Sequence, residues 1–212
     1  RSALLIEADT GQILKSFQPR IRVIPASLVK MMTLLITLEQ IKTKSVNIKD
    51  IVTTSRKASR IGGQQVYLRQ GEKFSLEDLL KAVAISSAND AAYAVAEHIA
   101  GDSDIFVEMM NTRAKQLGMT DTSYVNVHGL PPGRRLPPNM TSARDMAIIA
   151  RELLKYPITK RWGKTKHTPF RNGKFTLTNT NRLVGKFRGL DGLKTGSYRK
   201  AGYSIVATAK RG

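Results

Sequence analysis

Pro25-Ala26-Ser27-Leu28-Val29-Lys30-Met31-Met32-Thr33-Leu34-Leu35-Ile36-Thr37-Leu38-Glu39 is the stretch on which the reading turns. After Pro25 it contains neither glycine nor proline and is apolar nearly all round, which predicts a helix buried in the core. Pro25 stands where a helix is entered, and Ser27 falls in its first turn. Lys30 breaks the pattern, because a lysine one turn into a buried helix is costly unless it has a task.

Working outward, Leu4 to Glu7 and Gln12 to Phe17 flank the turn sequence Asp9-Thr10-Gly11 and read as a hairpin. On the other side, Ser75-Leu76-Glu77-Asp78 has the form of a capping box opening a helix towards Ile85. Ser86-Ser87 interrupts, Asn89 to Ala100 resumes as an alanine-rich helix ending at Gly101, and Ser103 begins another that closes at Gly118. Pro131, Pro132, Gly133, Pro137 and Pro138 mark an irregular loop. Thr141 and Ser142 with Asp145 then cap a helix to Lys155, which Pro157 stops. The tail changes period: Lys174 to Thr178 alternates after Asn172-Gly173, and Leu193 to Thr195 and Tyr203 to Thr208 read as strands. Strands at both ends with helices between predict an α+β fold, with an antiparallel sheet built from both chain ends and a helical lobe.

At 212 residues and 41% hydrophobic content, the chain suits a single globular domain. Its most continuous apolar stretch, Met31 to Leu38, is far shorter than the ~20 residues of a membrane span. No signal peptide is visible, and a removed one is the expectation. Cysteine is absent, which excludes thiolate chemistry and disulfides. The formal net charge is +19: residues 1–106 hold 14 Lys and Arg against 11 Asp and Glu, and residues 107–212 hold 21 against 5. Solubility needs a net charge of only roughly 2–8, so the excess points to an anionic partner or surface.

His98, His128 and His167 stand alone, with no His-Glu-x-x-His, Gly-x-Ser-x-Gly or Walker-type loop, so neither a metal site, a Ser-His-Asp triad nor a nucleotide cofactor is expected. His98, on the alanine-rich helix, reads as structural; the other two read as loop or surface residues. A serine enzyme without histidine needs another base. Lysine serves if its pKa falls by ~3 units from about 10.4, which costs roughly 4 kcal/mol. One neighbouring cation at ~4 Å, at an effective dielectric of about 20, supplies that much. The site therefore calls for a serine, a lysine three residues on and a second lysine.

Ser-x-x-Lys occurs at Ser27/Lys30 and at Ser197/Lys200, but the second lies in a turn context between Gly196 and Gly202. Ser-x-Asn occurs at Ser87-Ala88-Asn89 and at Ser45-Val46-Asn47, the latter in a polar stretch just after the buried helix. Lys194-Thr195-Gly196 sits on a late strand. The specific signal is the ordered triple: Ser27/Lys30 at a helix start, Ser87/Asn89 mid-chain, and Lys194-Thr195-Gly196 on a strand.

These stretches, with Ala8-Asp9-Thr10-Gly11, Asp191-Gly192-Leu193 and Ala201-Gly202-Tyr203, resemble the low-molecular-mass penicillin-binding proteins of the D-alanyl-D-alanine carboxypeptidase family over nearly the whole chain. The resemblance implies the β-lactamase/penicillin-binding transpeptidase-like fold and a peptidoglycan stem peptide ending in D-Ala-D-Ala as substrate, with β-lactams as inhibitors. It also implies an extracytoplasmic location. It makes Ser27 the nucleophile, Lys30 its base, and Ser87 and Lys194 the proton relay. Asn89, Thr195, Gly196, Ser197 and Arg182 fall on the substrate, Arg182 with Thr195 at its carboxylate and Ser197 giving a backbone N–H to the oxyanion hole beside that of Ser27.

There are departures. Tyr198 follows Ser197 where relatives commonly have threonine, and the chain ends where relatives continue. The expectation is one catalytic domain over residues 1–212, lacking the family's last strand, last helix and any C-terminal β-rich domain. A β-lactamase is disfavoured because Glu152-Leu153-Leu154-Lys155 lies in a helix and lacks the asparagine of the deacylating loop. An endopeptidase or transpeptidase uses the same site. Nucleic-acid binding is disfavoured because aromatics are only 6% and the cations are scattered, whereas an anionic wall or membrane surface suits the charge.

Overall fold

The computed structural model describes residues 1–133 and 136–210; Arg134 and Arg135 in the proline-rich loop, and Arg211 and Gly212, lie outside the described residues. Helix α1, Lys30–Lys42, is buried over nine successive residues from Lys30 to Leu38. A helix without a polar face must be surrounded, and α1 is. It packs against α2 (Leu76–Ile85), α3 (Asn89–Ala100), α4 (Ser103–Gln116) and α5 (Ala143–Leu154). Met31, Met32 and Leu35 are fully buried, each stabilising the fold by about 1.5–3 kcal/mol.

The helix ends follow the capping residues. Ser75 Oγ accepts from Asp78 N at 3.1 Å at the start of α2, and Ser142 Oγ accepts from Asp145 N at 3.2 Å at the start of α5. Gly101, at φ +77°, closes α3. Pro157 does more than stop α5: it opens a further helix, α6 (Pro157–Lys164), from its first turn. A proline at that position loses nothing, since its missing N–H has no helical partner there.

Among the described residues the strands form four antiparallel two-stranded ladders: β1 (Ala3–Ile6) with β2 (Ile13–Phe17), β3 (Ile51–Thr53) with β4 (Lys73–Ser75), β5 (His167–Phe170) with β6 (Phe175–Thr178), and β7 (Leu190–Tyr198) with β8 (Gly202–Ala209). The α+β class holds, with one correction. Among the described residues β1–β2 and β7–β8 are separate two-stranded ladders, not one sheet from both chain ends. Both hairpins rest on α5, but alternation along a strand sets which face is buried, not which edge finds a partner. His167 lies on strand β5, exposed and facing Thr178, rather than in a loop. Among the described residues no helix is long and apolar enough to cross a membrane.

Candidate active site

Ser27 lies in a 3-10 turn, Ala26–Val29, that leads into α1, not in the first α-helical turn as its sequence position suggested. The tighter turn matters, because side chains three residues apart eclipse in it. Lys30 Nζ consequently reaches Ser27 Oγ at 3.1 Å. Two glycines hold the turn. A Cβ on Gly129 (φ +85°) would stand 2.0 Å from the Ala26 carbonyl oxygen, and one on Gly196 would stand 2.6 Å from the Pro25 oxygen and 3.1 Å from Ser27 N. Ala26 itself sits at φ +48°, a conformation that costs a non-glycine residue about 1–2 kcal/mol and persists because its surroundings enforce it.

Lys30 is completely buried. Its amine has three neighbours: Ser27 Oγ, Asn89 Oδ1 at 2.6 Å and the His128 carbonyl oxygen at 2.6 Å. The last two are carbonyl oxygens and can only accept. A neutral amine has two N–H groups and one lone pair, so those two oxygens take the hydrogens and the lone pair is left for the Ser27 hydroxyl. Burial, then the charge of Lys194, holds the Lys30 pKa well below that of an ordinary lysine, opposed by Asp90. The Asp90 carboxylate is engaged elsewhere, accepting from the backbone N–H groups of Val66, Leu68 and Ala91.

Helices α2 and α3 are separated by Ser86, Ser87 and Ala88, with Ser87 at φ +61°. That kink sends the Ser87 hydroxyl to Lys194 Nζ at 2.7 Å. Lys194 is only 2% exposed and also donates to the Thr195 carbonyl at 2.9 Å. Burial lowers its pKa to about 7. Asn89 completes the set: its Oδ1 takes the Lys30 hydrogen and its Nδ2 donates to the Gly62 carbonyl at 2.8 Å.

Of the residues expected on the substrate side, Thr195 shares a hydrogen bond of 2.7 Å with Thr180. Gly196 packs on the Ser27 turn, and Ser197 follows it on β7, exposed. Arg182 lies exposed in the turn between β6 and β7, and no hydrogen bond ties it to the residues above. The Ser45-Val46-Asn47 tripeptide lies in the turn after α1.

A family model described as D-alanyl-D-alanine carboxypeptidase matches residues 1–212. The chain belongs to that family. D-alanyl-D-alanine carboxypeptidase DacF of Bacillus subtilis strain 168 is 41% identical to it, over all of this chain and 54% of the relative. The chain thus spans about half the length of the curated relatives it matches. Penicillin binding protein 5 from Haemophilus influenzae superposes with a TM-score of 0.91 at 33% identity, covering 99% of this chain and 61% of that one. A Listeria monocytogenes penicillin-binding protein in an ampicillin-bound form superposes with a TM-score of 0.88 at 28% identity, covering 100% and 84%.

Several participants in this site escaped the sequence reading. Thr180 has no signature beyond an ordinary threonine near a turn. The His128 contribution is a backbone oxygen, which no residue type announces. Its ring, lowered to a pKa of about 4 by burial and the Lys30 charge, accepts from Leu130 N at 3.1 Å instead. His98 lies on α3 with its imidazole 3.6 Å from Asp50.

Proposed function

We propose that this chain is the catalytic part of a serine D-Ala-D-Ala carboxypeptidase that acts on peptidoglycan stem peptides outside the cytoplasm and is acylated by β-lactams. The observation that carries the proposal is the Lys30 amine, 3.1 Å from Ser27 Oγ, with its other two bonding directions directed at carbonyl oxygens.

In the reaction, Ser27 Oγ attacks the carbonyl carbon of the terminal D-Ala-D-Ala bond as its proton passes to the neutral Lys30 amine. The backbone N–H groups of Ser27 and Ser197 receive the oxyanion, a contribution of about 2.7–4 kcal/mol per donor. The peptide C–N bond then breaks as the departing D-alanine amine takes the proton that Lys30 received, relayed through the Ser87 hydroxyl with Lys194 beside it, so that Lys30 is neutral again when water attacks the ester. Water cleaves the Ser27 ester, releasing the shortened peptide and restoring the hydroxyl. The paired hydroxyls of Thr195 and Thr180, 2.7 Å apart, suit the substrate's terminal carboxylate. Asn89 holds both Lys30 and the Gly62 loop beside the peptide.

In a β-lactam the amine stays tethered by the ring and blocks that exit. Among the described residues no carboxylate hydrogen-bonds Ser27 or Lys30 to speed water attack, and Glu152 pairs with Lys155 at 2.7 Å. This favours long-lived acylation over β-lactamase turnover. Labelled penicillin tests the proposal. The protein is expected to take up one label per chain, located on Ser27 by mass spectrometry, and to release D-alanine from an acyl-D-Ala-D-Ala peptide. Labelling that survives in Ser27→Ala, or rapid release of the label, contradicts it.

A further inference from the structure

From Pro157 to Lys210 the chain carries 13 lysines and arginines and a single acidic residue, Asp191. Asp191 accepts from Thr208 Oγ1 at 2.6 Å. Arg161 meets Glu77 at 3.8 Å and Arg171 meets Glu72 at 2.5 Å, and Lys194 belongs to the site. The other cations of this segment have no carboxylate within 4 Å among the described residues. Self-repulsion on that scale destabilises a fold unless something anionic offsets it.

The cations are gathered at one end of the cleft. Asn179 donates through Nδ2 to the carbonyls of Gly163 and Thr165, both at 2.9 Å, and through its backbone N to that of Lys166 at 2.9 Å. These bonds clamp the end of α6, with exposed Lys164 and Lys166, to Asn179-Thr180-Asn181. Thr180 is the residue bonded to Thr195. The chain then turns through exposed Lys186 and Arg188 to Gly189, whose carbonyl accepts from Lys210 N at 3.0 Å. Gly163 lies against the Asp191–Gly192 backbone, where a Cβ would come within 2.6 Å of the Asp191 oxygen, and this brings the end of α6 beside the end of that turn.

We propose that this cationic rim is a docking surface for an anionic cell-wall polymer, which brings its attached stem peptides to the Thr180–Thr195 end of the cleft. The inference rests on the carboxypeptidase reading. A partner lying along the rim is by construction next to the site, so docking raises the local concentration of substrate without a contact to the reacting bond. Leu183 and Phe187, 43% and 46% exposed in the same turn, would also meet a lipid headgroup layer. The cations, however, continue from that turn over the end of α6, a track that fits a strand better than a single inserted patch.

The test replaces Lys164→Gln, Lys166→Gln, Lys186→Gln and Arg188→Gln together in the full chain. Binding is read by co-sedimentation with purified cell walls that keep their anionic polymers, at low and high salt, with penicillin acylation measured in parallel. The parent is expected to bind more weakly as salt screens the rim. The variant is expected to bind about tenfold more weakly at low salt, the scale of four exposed ion pairs of ordinary strength, with acylation unchanged. Equal wall binding by variant and parent, binding indifferent to salt, or tighter binding to phosphatidylglycerol vesicles than to walls overturns the proposal. Sedimentation needs no turnover, so a parent that fails to acylate strikes the carboxypeptidase reading separately.

Discussion

Gly129→Ala is the substitution whose consequence can be worked most fully. Its added Cβ would stand 2.0 Å from the Ala26 oxygen and 2.4 Å from the Ala26 carbonyl carbon, while Cβ contacts under 3.0 Å are essentially never tolerated. The Ala26–Ser27 backbone or the residue 128–130 loop must therefore give way by at least 1 Å. Either movement disturbs the base, because one carries Ser27 Oγ and the other carries the His128 oxygen that holds Lys30. Overpacking and the positive φ together cost about 3 kcal/mol, which a domain with a stability of about 5–15 kcal/mol survives. A 1 Å misplacement costs on the order of 100-fold in rate. The assay is the second-order rate of acylation by labelled penicillin, with thermal unfolding to verify the fold. A folded Gly129→Ala protein acylated within threefold of the parent rate would refute the reasoning.

Two further outcomes are expected. Gly118→Ala, at φ +70° but with nothing within 4 Å of the added Cβ, pays only the backbone strain; it should lose about 1 kcal/mol of stability in denaturant titration with acylation unchanged. Thr180→Val removes the hydroxyl paired with Thr195 at 2.7 Å and should raise KM for an acyl-D-Ala-D-Ala peptide about tenfold, as expected for one hydrogen bond to a charged group, with kcat much less affected.

The parts of the site legible in the sequence are those that had to be paid for locally. Lys30 stood out because an apolar helix has no other use for an ammonium group, and Ser87-Ala88-Asn89 because it breaks two helical runs. Lys194 stood out as a strand lysine followed by Thr195-Gly196. What stayed hidden depends on approach between distant segments. The three-residue offset of Ser27 and Lys30 was visible, but the 3-10 geometry that makes it effective is enforced by Gly129 and Gly196 from elsewhere in the chain. Thr180 reaches Thr195 only through the packing of the β6–β7 connection, whereas Arg182, two residues on, entered the reading through the family resemblance. Helix α6 and strand β5 escaped because Pro157 reads as a stop and the charged residues of the Lys160–His167 stretch mask its buried Trp162. The hairpins at the chain ends were individually plain, but whether their edges would meet is not written in side-chain alternation.

The central claim is that a buried, neutral Lys30 takes the Ser27 proton. It is tested most directly by the pH dependence of the second-order rate of penicillin acylation. Burial and the Lys194 charge hold Lys30 well below an ordinary lysine, and Lys194 titrates near 7. A base held well below an ordinary lysine sheds its proton well short of pH 10.4, and its action is lost as acid protonates it. With Lys194 losing its charge above about 7 and Lys30 gaining a proton in acid, the account predicts a rate that is highest near neutral pH and declines on both sides. A rate still climbing about tenfold per unit through pH 9, as a lysine titrating near 10.4 would give, contradicts it.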